Sequence, residues 1–200
     1  MKILFTCFDP FGGEKANASY EAVRRLPDQV DRIQIVKAQL PTEFKRCASG
    51  LESLFKTEQP DAVVCVGQAA GRAEITPEKV AINYADARIP DNAGLQPTDE
   101  PLVPHGKAAY FSTLPVRAIV EQIAKEGIPA KVSYSAGTFV CNCAMYHALR
   151  MAERQYPSMK AGFIHVPLTT EQAKAEQYPV LPVDLIVRAL KIAAEEIAKT

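Results

Sequence analysis

Along the chain, short apolar runs alternate with longer segments whose apolar positions recur every three or four residues. The first pattern is that of buried or half-buried strands, the second that of amphipathic helices. Residues 2–7 form a compact apolar run that meets Asp9-Pro10, and residues 61–67 form a bounded β-branched run. Both predict buried strands. Residues 32–37 alternate, as a half-buried strand does, and 130–135 and 163–167 predict two more. Helices are expected over 19–26, with Ser19 as N-cap and Pro27 as the stop, and over 115–125, ending at Gly127. Three more are expected over 42–56, 140–155 and 183–199. In the first of these, Phe44, Cys47, Leu51, Leu54 and Phe55 share the apolar side.

Residues 68–112 interrupt the alternation with Pro and Gly. Short strands are expected within 75–84, and 86–106 reads as a long loop. A long loop in a compact domain serves as a lid or binding element, or as padding or a subunit contact. Strand and helix in alternation predict an α/β fold in one domain, residues 1–200, with a largely parallel central sheet. In such sheets, sites form at the carboxyl ends of the strands.

Composition narrows the function. Lys plus Arg is 23 and Asp plus Glu is 23, so the 200 residues carry no net charge to gather phosphates, and nucleic acid is not an expected partner. No apolar run approaches the roughly 20 residues of a membrane span, so no membrane association is expected. The five cysteines are scattered and follow no secretory signal, which predicts free thiols in a reducing cytoplasm.

The candidate chemistry is that of a cysteine. Gly12-Gly13 and Gly67-Gln68-Ala69-Ala70-Gly71 match no phosphate-binding loop and read as tight strand exits. Cys141-Asn142-Cys143 with His147 lacks a second ligand cluster, so no metal is expected. No G-x-S-x-G elbow occurs. Cys47 and Cys65 lie in apolar patterns and read as packing, whereas Cys7 ends the first strand. Cys141 opens a predicted helix after the turn Ala136-Gly137-Thr138. A helix N-terminus lowers a thiol pKa and offers N–H groups to an oxyanion. With Ala144, Met145, Ala148 and Ala152 it forms a stripe expected to face the sheet, while Cys143, His147, Arg150 and Arg154 form a separate polar row.

His165, near the carboxyl end of strand 163–167, is expected beside strand 130–135, close enough to Cys141 to serve as general base and acid. His105 falls in the long loop and reads as surface. A base needs an orienting partner. Glu74 and Glu78 both qualify, and spacing does not choose between them.

The sequence resembles the pyroglutamyl peptidase I (pyrrolidone-carboxylate peptidase) family along its length. The matching blocks are Thr6-Cys7-Phe8-Asp9-Pro10-Phe11-Gly12-Gly13, Cys65-Val66-Gly67-Gln68-Ala69-Ala70-Gly71-Arg72 and Ile75-Thr76-Pro77-Glu78 through Asn83. They continue with Ala87-Arg88-Ile89-Pro90-Asp91-Asn92, Ser135-Ala136-Gly137-Thr138-Phe139-Val140-Cys141-Asn142 and Gly162-Phe163-Ile164-His165-Val166-Pro167. The resemblance implies a three-layer α/β/α fold with a mixed, largely parallel sheet. It implies a cysteine exopeptidase that removes an N-terminal pyroglutamyl residue through a thioester, with Cys141 as nucleophile, His165 as base and acid, and Glu78 as the carboxylate that orients His165. It also implies Arg88 near the oxyanion, pyroglutamyl peptides as substrates, a cytoplasmic homotetramer, and no metal or organic cofactor.

Pyroglutamate is a flat, uncharged lactam with one ring N–H and one ring carbonyl. Phe8, Phe11 and Phe139 are the candidate walls of its pocket, and Gln68 and Asn17 the candidate polar partners. Five positions depart from the usual family pattern: Cys7 stands where Gly is usual, Ala70 where Gly is, Ala18 and Tyr20 in Asn17-Ala18-Ser19-Tyr20 for N-P-S-W, and Cys143 where His is frequent. Cys7 and Cys143 are thus expected to add oxidisable thiols near the site. The competing readings are a thiol amidase acting on another small amide and an inactive ligand-binding relative.

Overall fold

The alternation resolves into β1 (Lys2–Phe8), α1 (Ala18–Val23), β2 (Gln29–Val30), β3 (Ile33–Leu40), α2 (Phe44–Glu58), β4 (Ala62–Gln68), β5 (Thr76–Pro77), β6 (Val80–Ile82) and β7 (Ala109–Phe111). It continues with α3 (Val116–Lys125), α4 (Val140–Gln155), β8 (Lys160–Val166), β9 (Leu168–Thr169), β10 (Val180–Leu181) and α5 (Val183–Ala198). The structure, a computed structural model, describes residues 1–172 and 178–200.

The central sheet has six strands in the order β2-β3-β1-β4-β8-β5. Strands β3, β1, β4 and β8 run parallel, and the short β2 and β5 close the two edges antiparallel. Period-two alternation sends successive side chains to opposite faces. Ile3, Phe5, Val64, Val66 and Ile164 face α1, α3 and α5. Leu4, Phe8, Val63, Cys65 and Phe163 face α2 and α4. The result is the expected three-layer α/β/α fold with a mixed, largely parallel sheet. Among the described residues, no helix is long and apolar enough to cross a membrane.

Two local expectations are corrected. Asn17, not Ser19, caps α1: its side chain accepts from the Ser19 N–H at 3.0 Å. Residues 130–135 form no strand and pair with the neighbouring backbone through isolated bridges, Ile75 with Ala130 and Glu78 with Ser133. The place beside β8 is taken by β5, and a two-residue edge strand is too short a template for a ladder. The cluster Gly67–Gly71 is the expected strand exit: Gly67 lies in β4 opposite His165 of β8, β4 ends at Gln68, and the turn follows at Gly71, where φ is +86°.

The long loop contains no regular strand and is tied down by its own side chains. Asp91 accepts the buried N–H of Phe44, the first residue of α2, at 2.9 Å, and also the N–H groups of Ala93 and Leu95. Asn92 donates to the Pro10 carbonyl, and Asp86 and Thr138 exchange hydrogen bonds. The loop is thereby pinned to the β1 exit, the start of α2 and the turn before α4.

Candidate active site

Cys141 lies in the first turn of α4, where Phe139 provides no side-chain cap. The first intrahelical bond runs from the Cys143 N–H to the Phe139 carbonyl, so earlier N–H groups of this turn remain for a ligand. Asn142 holds the turn in place. Its side chain accepts from the Ile82 N–H at 3.0 Å and donates to the carbonyls of Ile82 and Tyr84.

A Cβ built on Gly67 would lie 2.9 Å from the Cys141 sulfur and 2.5 Å from Cζ of Phe163. The thiol therefore rests directly on the β4 backbone, at the residue paired with His165. His165 shares the sheet face of Phe163, the two rings 4.6 Å apart. Thiol and imidazole thus lie over the same face of the β4–β8 pair, and β5, not residues 130–135, flanks His165 on its other side.

Glu78 directly follows β5. Its Oε1 lies 2.7 Å from Nδ1 of His165, with the carboxylate fully buried. Glu74 instead pairs with Lys131 at the surface, so the geometry separates the two carboxylates that spacing left open. Burial alone pushes Glu78 up, but the hydrogen bond and charge of His165, the Ser133 hydroxyl and the charge of Arg72 outweigh it and hold the carboxyl below its ordinary value. Burial pulls His165 below the usual imidazole value, against the opposing pull of Glu78. An ionised Glu78 accepts the Nδ1 proton and leaves the Nε2 lone pair of His165 as the base.

The thiol departs from expectation. Burial, with the Glu78 charge, pushes Cys141 up to about 12, and the nearby charge of Arg72 only partly offsets this. A thiol held in this way needs a base to take its proton, and the free nitrogen of His165 is that base.

Around this centre, Phe8 stacks on Phe163 at 6.3 Å between centroids. Half-buried Phe11 and Phe139 lie 5.9 Å apart, and Phe44 meets Phe139 edge-on. Arg88 is exposed on the long loop, next to Ile89, whose Cδ1 lies 3.4 Å from a Cβ built on Gly12. The Oε1 of Gln68 accepts from the Ala18 N–H at 2.8 Å and from Gln172 Nε2 at 2.7 Å. Asn17 is committed to the α1 cap and to the Asp9 carbonyl. His105 is exposed, and Cys47 and Cys65 are buried packing residues.

The two unusual thiols are not where the sequence placed them. Cys7 faces the α1–α5 side of the sheet and donates to the Ala38 carbonyl at 3.5 Å. Cys143 is buried against α2, with Cys47 as its side-chain partner and Phe44 as its backbone acceptor. The row containing Cys143 is thus covered by α2 at its first position. One functional neighbour was missed altogether: Arg72, which reaches Glu78 at 2.6 Å.

A thiol at a helix N-terminus, beside an imidazole oriented by a buried carboxylate, is the constellation of cysteine-dependent hydrolases. The family model for pyroglutamyl peptidase matches residues 1–200, and the chain belongs to that family. It is 51% identical over 194 residues to the pyrrolidone-carboxylate peptidase of Bacillus velezensis, covering 96% of this chain and 90% of that protein. It is 50% identical over 200 residues to the pyrrolidone-carboxylate peptidase of Thermosipho africanus, covering 100% of this chain and 98% of that protein. The crystal structure of Bacillus amyloliquefaciens pyroglutamyl peptidase I superposes with a TM-score of 0.97 at 50% identity, covering 100% of this chain and 97% of that one.

Proposed function

We propose that this single-domain chain is a cysteine exopeptidase that hydrolyses the amide bond after an N-terminal pyroglutamyl residue. The observation that carries the reaction is the Glu78–His165 pair at 2.7 Å on the strand beside Gly67, with the Cys141 sulfur seated on that glycine. As the Cys141 sulfur attacks the pyroglutamyl carbonyl carbon, its proton passes to Nε2 of His165. The oxyanion that forms is held by the open first-turn N–H groups of α4 and by Arg88. The C–N bond then breaks, the imidazolium gives its proton to the leaving amine, and a thioester remains. Water, deprotonated by His165, attacks the thioester. The C–S bond breaks, free pyroglutamate leaves, and the proton returns to sulfur. Glu78 stays ionised throughout and holds the imidazole. These steps use side chains and water alone, with no metal or organic cofactor.

Phe11 and Phe139, with Phe8 behind them, form the walls for the flat lactam. With Oε1 of Gln68 engaged, its amide N–H₂ is the donor for the ring carbonyl. Asn17 serves the pocket through Asp9, whose carbonyl it holds between Phe8 and Phe11. A pocket built for a neutral lactam rejects a charged amino terminus, because burying that charge without a partner is costly. It also discriminates against proline, which lacks the ring carbonyl. The homotetramer and the cytoplasmic location belong to this proposal; free thiols suit a reducing compartment.

The test is release of a fluorophore from a pyroglutamyl amide under reducing conditions by wild type and Cys141→Ala. Hydrolysis by the wild type alone is the expected result. Equal rates would remove Cys141 from the mechanism, and cleavage of other small amides in preference would redirect the substrate.

A further inference from the structure

Arg72 leaves the β4 exit turn, where its N–H bonds the Ala69 carbonyl, and crosses to the edge of the sheet. Its Nη1 donates to Glu78 Oε1 and to Thr76 Oγ1, both at 2.6 Å, and lies 3.3 Å from Ser133 Oγ. Its Nη2 donates to the Ser135 carbonyl at 3.0 Å. The guanidinium therefore joins three pieces of chain: β5 with Glu78, the β4 exit, and residues 133–135, which lead into the turn before Cys141. The Glu78 oxygen that accepts the Arg72 hydrogen bond is the same one that faces His165, while Oε2 is buried and makes no hydrogen bond among the described residues.

This arrangement poses an electrostatic problem that Arg72 resolves. A fully buried carboxylate beside a neutral imidazole tends to take up a proton. A protonated Glu78 would donate O–H to Nδ1 of His165 and so force the imidazole proton onto Nε2. The base facing the thiol would then be gone. A fixed cation on Oε1 keeps the carboxylate charged, which keeps the proton on Nδ1 and the lone pair on Nε2.

We propose that Arg72 is a positioning residue that, through Glu78, sets the tautomer and orientation of His165 and ties them to the segment that presents Cys141. The proposal rests on the catalytic reading given above. Arg72 touches neither substrate nor thiol. The titratable and charged groups facing Glu78 and His165 are Arg72 from the β4–β5 connection and Cys141 from α4, with Cys65 of β4 behind the thiol. Lys131 and Glu74 neutralise each other at the surface nearby. Removing the Arg72 cation raises both Glu78 and His165, so both changes move the acid limb of the rate profile to higher pH.

The experiment compares wild type, Arg72→Met, Arg72→Lys, Glu78→Gln and the double variant Arg72→Met/Glu78→Gln, with Cys141→Ala as the blank. Melting curves establish that each is folded. In Arg72→Met, kcat is expected to fall on the order of 10²-fold, as for a misplaced reacting group. KM should stay within about twofold, and the acid limb should move to higher pH. Arg72→Lys keeps the charge but loses the fork, and should return the acid limb to its wild-type position with part of kcat. In the Glu78→Gln background, removing Arg72 should have little further effect, because it acts through Glu78. Full additivity of the two losses would overturn the proposal. So would a folded Arg72→Met with wild-type kcat and acid limb, or equal losses in Met and Lys variants with no change in pH profile. Activity in Cys141→Ala would instead overturn the catalytic reading on which it stands.

Discussion

The seat of the thiol makes Gly67→Ala the sharpest probe of the site. Gly67 does not lie at positive φ, so alanine suits its backbone and strain is not at issue. The added methyl meets Phe163 Cζ at 2.5 Å, Phe163 Cε1 at 2.9 Å and the Cys141 sulfur at 2.9 Å. Non-bonded heavy atoms prefer roughly 3.5–4.0 Å, so ring and sulfur have to retreat by about 1 Å. Overfilling a packed core costs about 1–3 kcal/mol. For a chain of this size that is a fall in melting temperature of roughly 2–12 °C, less the few tenths of a kcal/mol that alanine returns through the unfolded chain. The effect on catalysis is larger, because a displacement of about 1 Å lowers rate on the order of 10²-fold. The assay is kcat/KM on a fluorogenic pyroglutamyl amide, with Gly50→Ala as control. Its new methyl meets the flexible Cδ2 of Leu40 at 3.0 Å on α2 and should leave activity intact. A folded Gly67→Ala with wild-type kcat/KM would refute the placement of the reacting sulfur on β4.

Further predictions concern protons, thiols and the loop. Burial lowers His165, so the rate should hold to a lower pH than an ordinary imidazole allows; an acid limb at or above the usual value would contradict this. The unfolded chain then binds that proton at higher pH than the folded one, so stability should fall as pH drops through the ordinary His value. Melting curves against pH for wild type and His165→Gln check this, the variant lacking the step. Cys7→Ser should leave peroxide inactivation unchanged, since Cys7 lies on the sheet face away from Cys141; slower inactivation would show otherwise. Asp91→Ala strips acceptors from the N–H groups of Phe44, Ala93 and Leu95. It should destabilise by about 1–3 kcal/mol and raise KM as the loop loosens, read by melting and steady-state kinetics.

What was legible from sequence was what local pattern encodes. The helix over 140–155 coincides with α4, because its apolar stripe and preceding glycine turn are both local. The thiol at its start and the histidine on the following strand were visible for the same reason. Residues 130–135 looked like a strand, yet a strand exists only if a ladder awaits it, and that place had gone to β5. Cys143 was assigned to a row whose other members, His147, Arg150 and Arg154, are polar. It is buried because α2 crosses above it, which is a tertiary fact. The choice of Glu78 over Glu74 rested on resemblance, since only the register of β5 against β8 separates them. Arg72 was missed because its partners lie at the far ends of distant segments. The opposing pull of burial and of the Glu78 charge on the thiol was equally hidden, because neither is local to the helix terminus that the sequence displays.

The position of β8 has a consequence for how the enzyme comes into being. This strand is made late, yet it sits between β4 and β5, both made long before it. Among the described residues β5 pairs within the six-stranded sheet with β8 alone, and its outer edge meets residues 129–133 only through isolated bridges. During synthesis, Glu78 therefore waits without its His165 partner until the residues through Val166 have left the ribosome. Insertion of that strand closes the sheet and brings together groups 87 residues apart in one event. Long-range closures of this kind come late and slowly in folding. A nascent or truncated chain is consequently inert, and hydrolytic competence appears together with the completed sheet. Recovery of turnover after dilution from denaturant is therefore a direct clock for the arrival of β8.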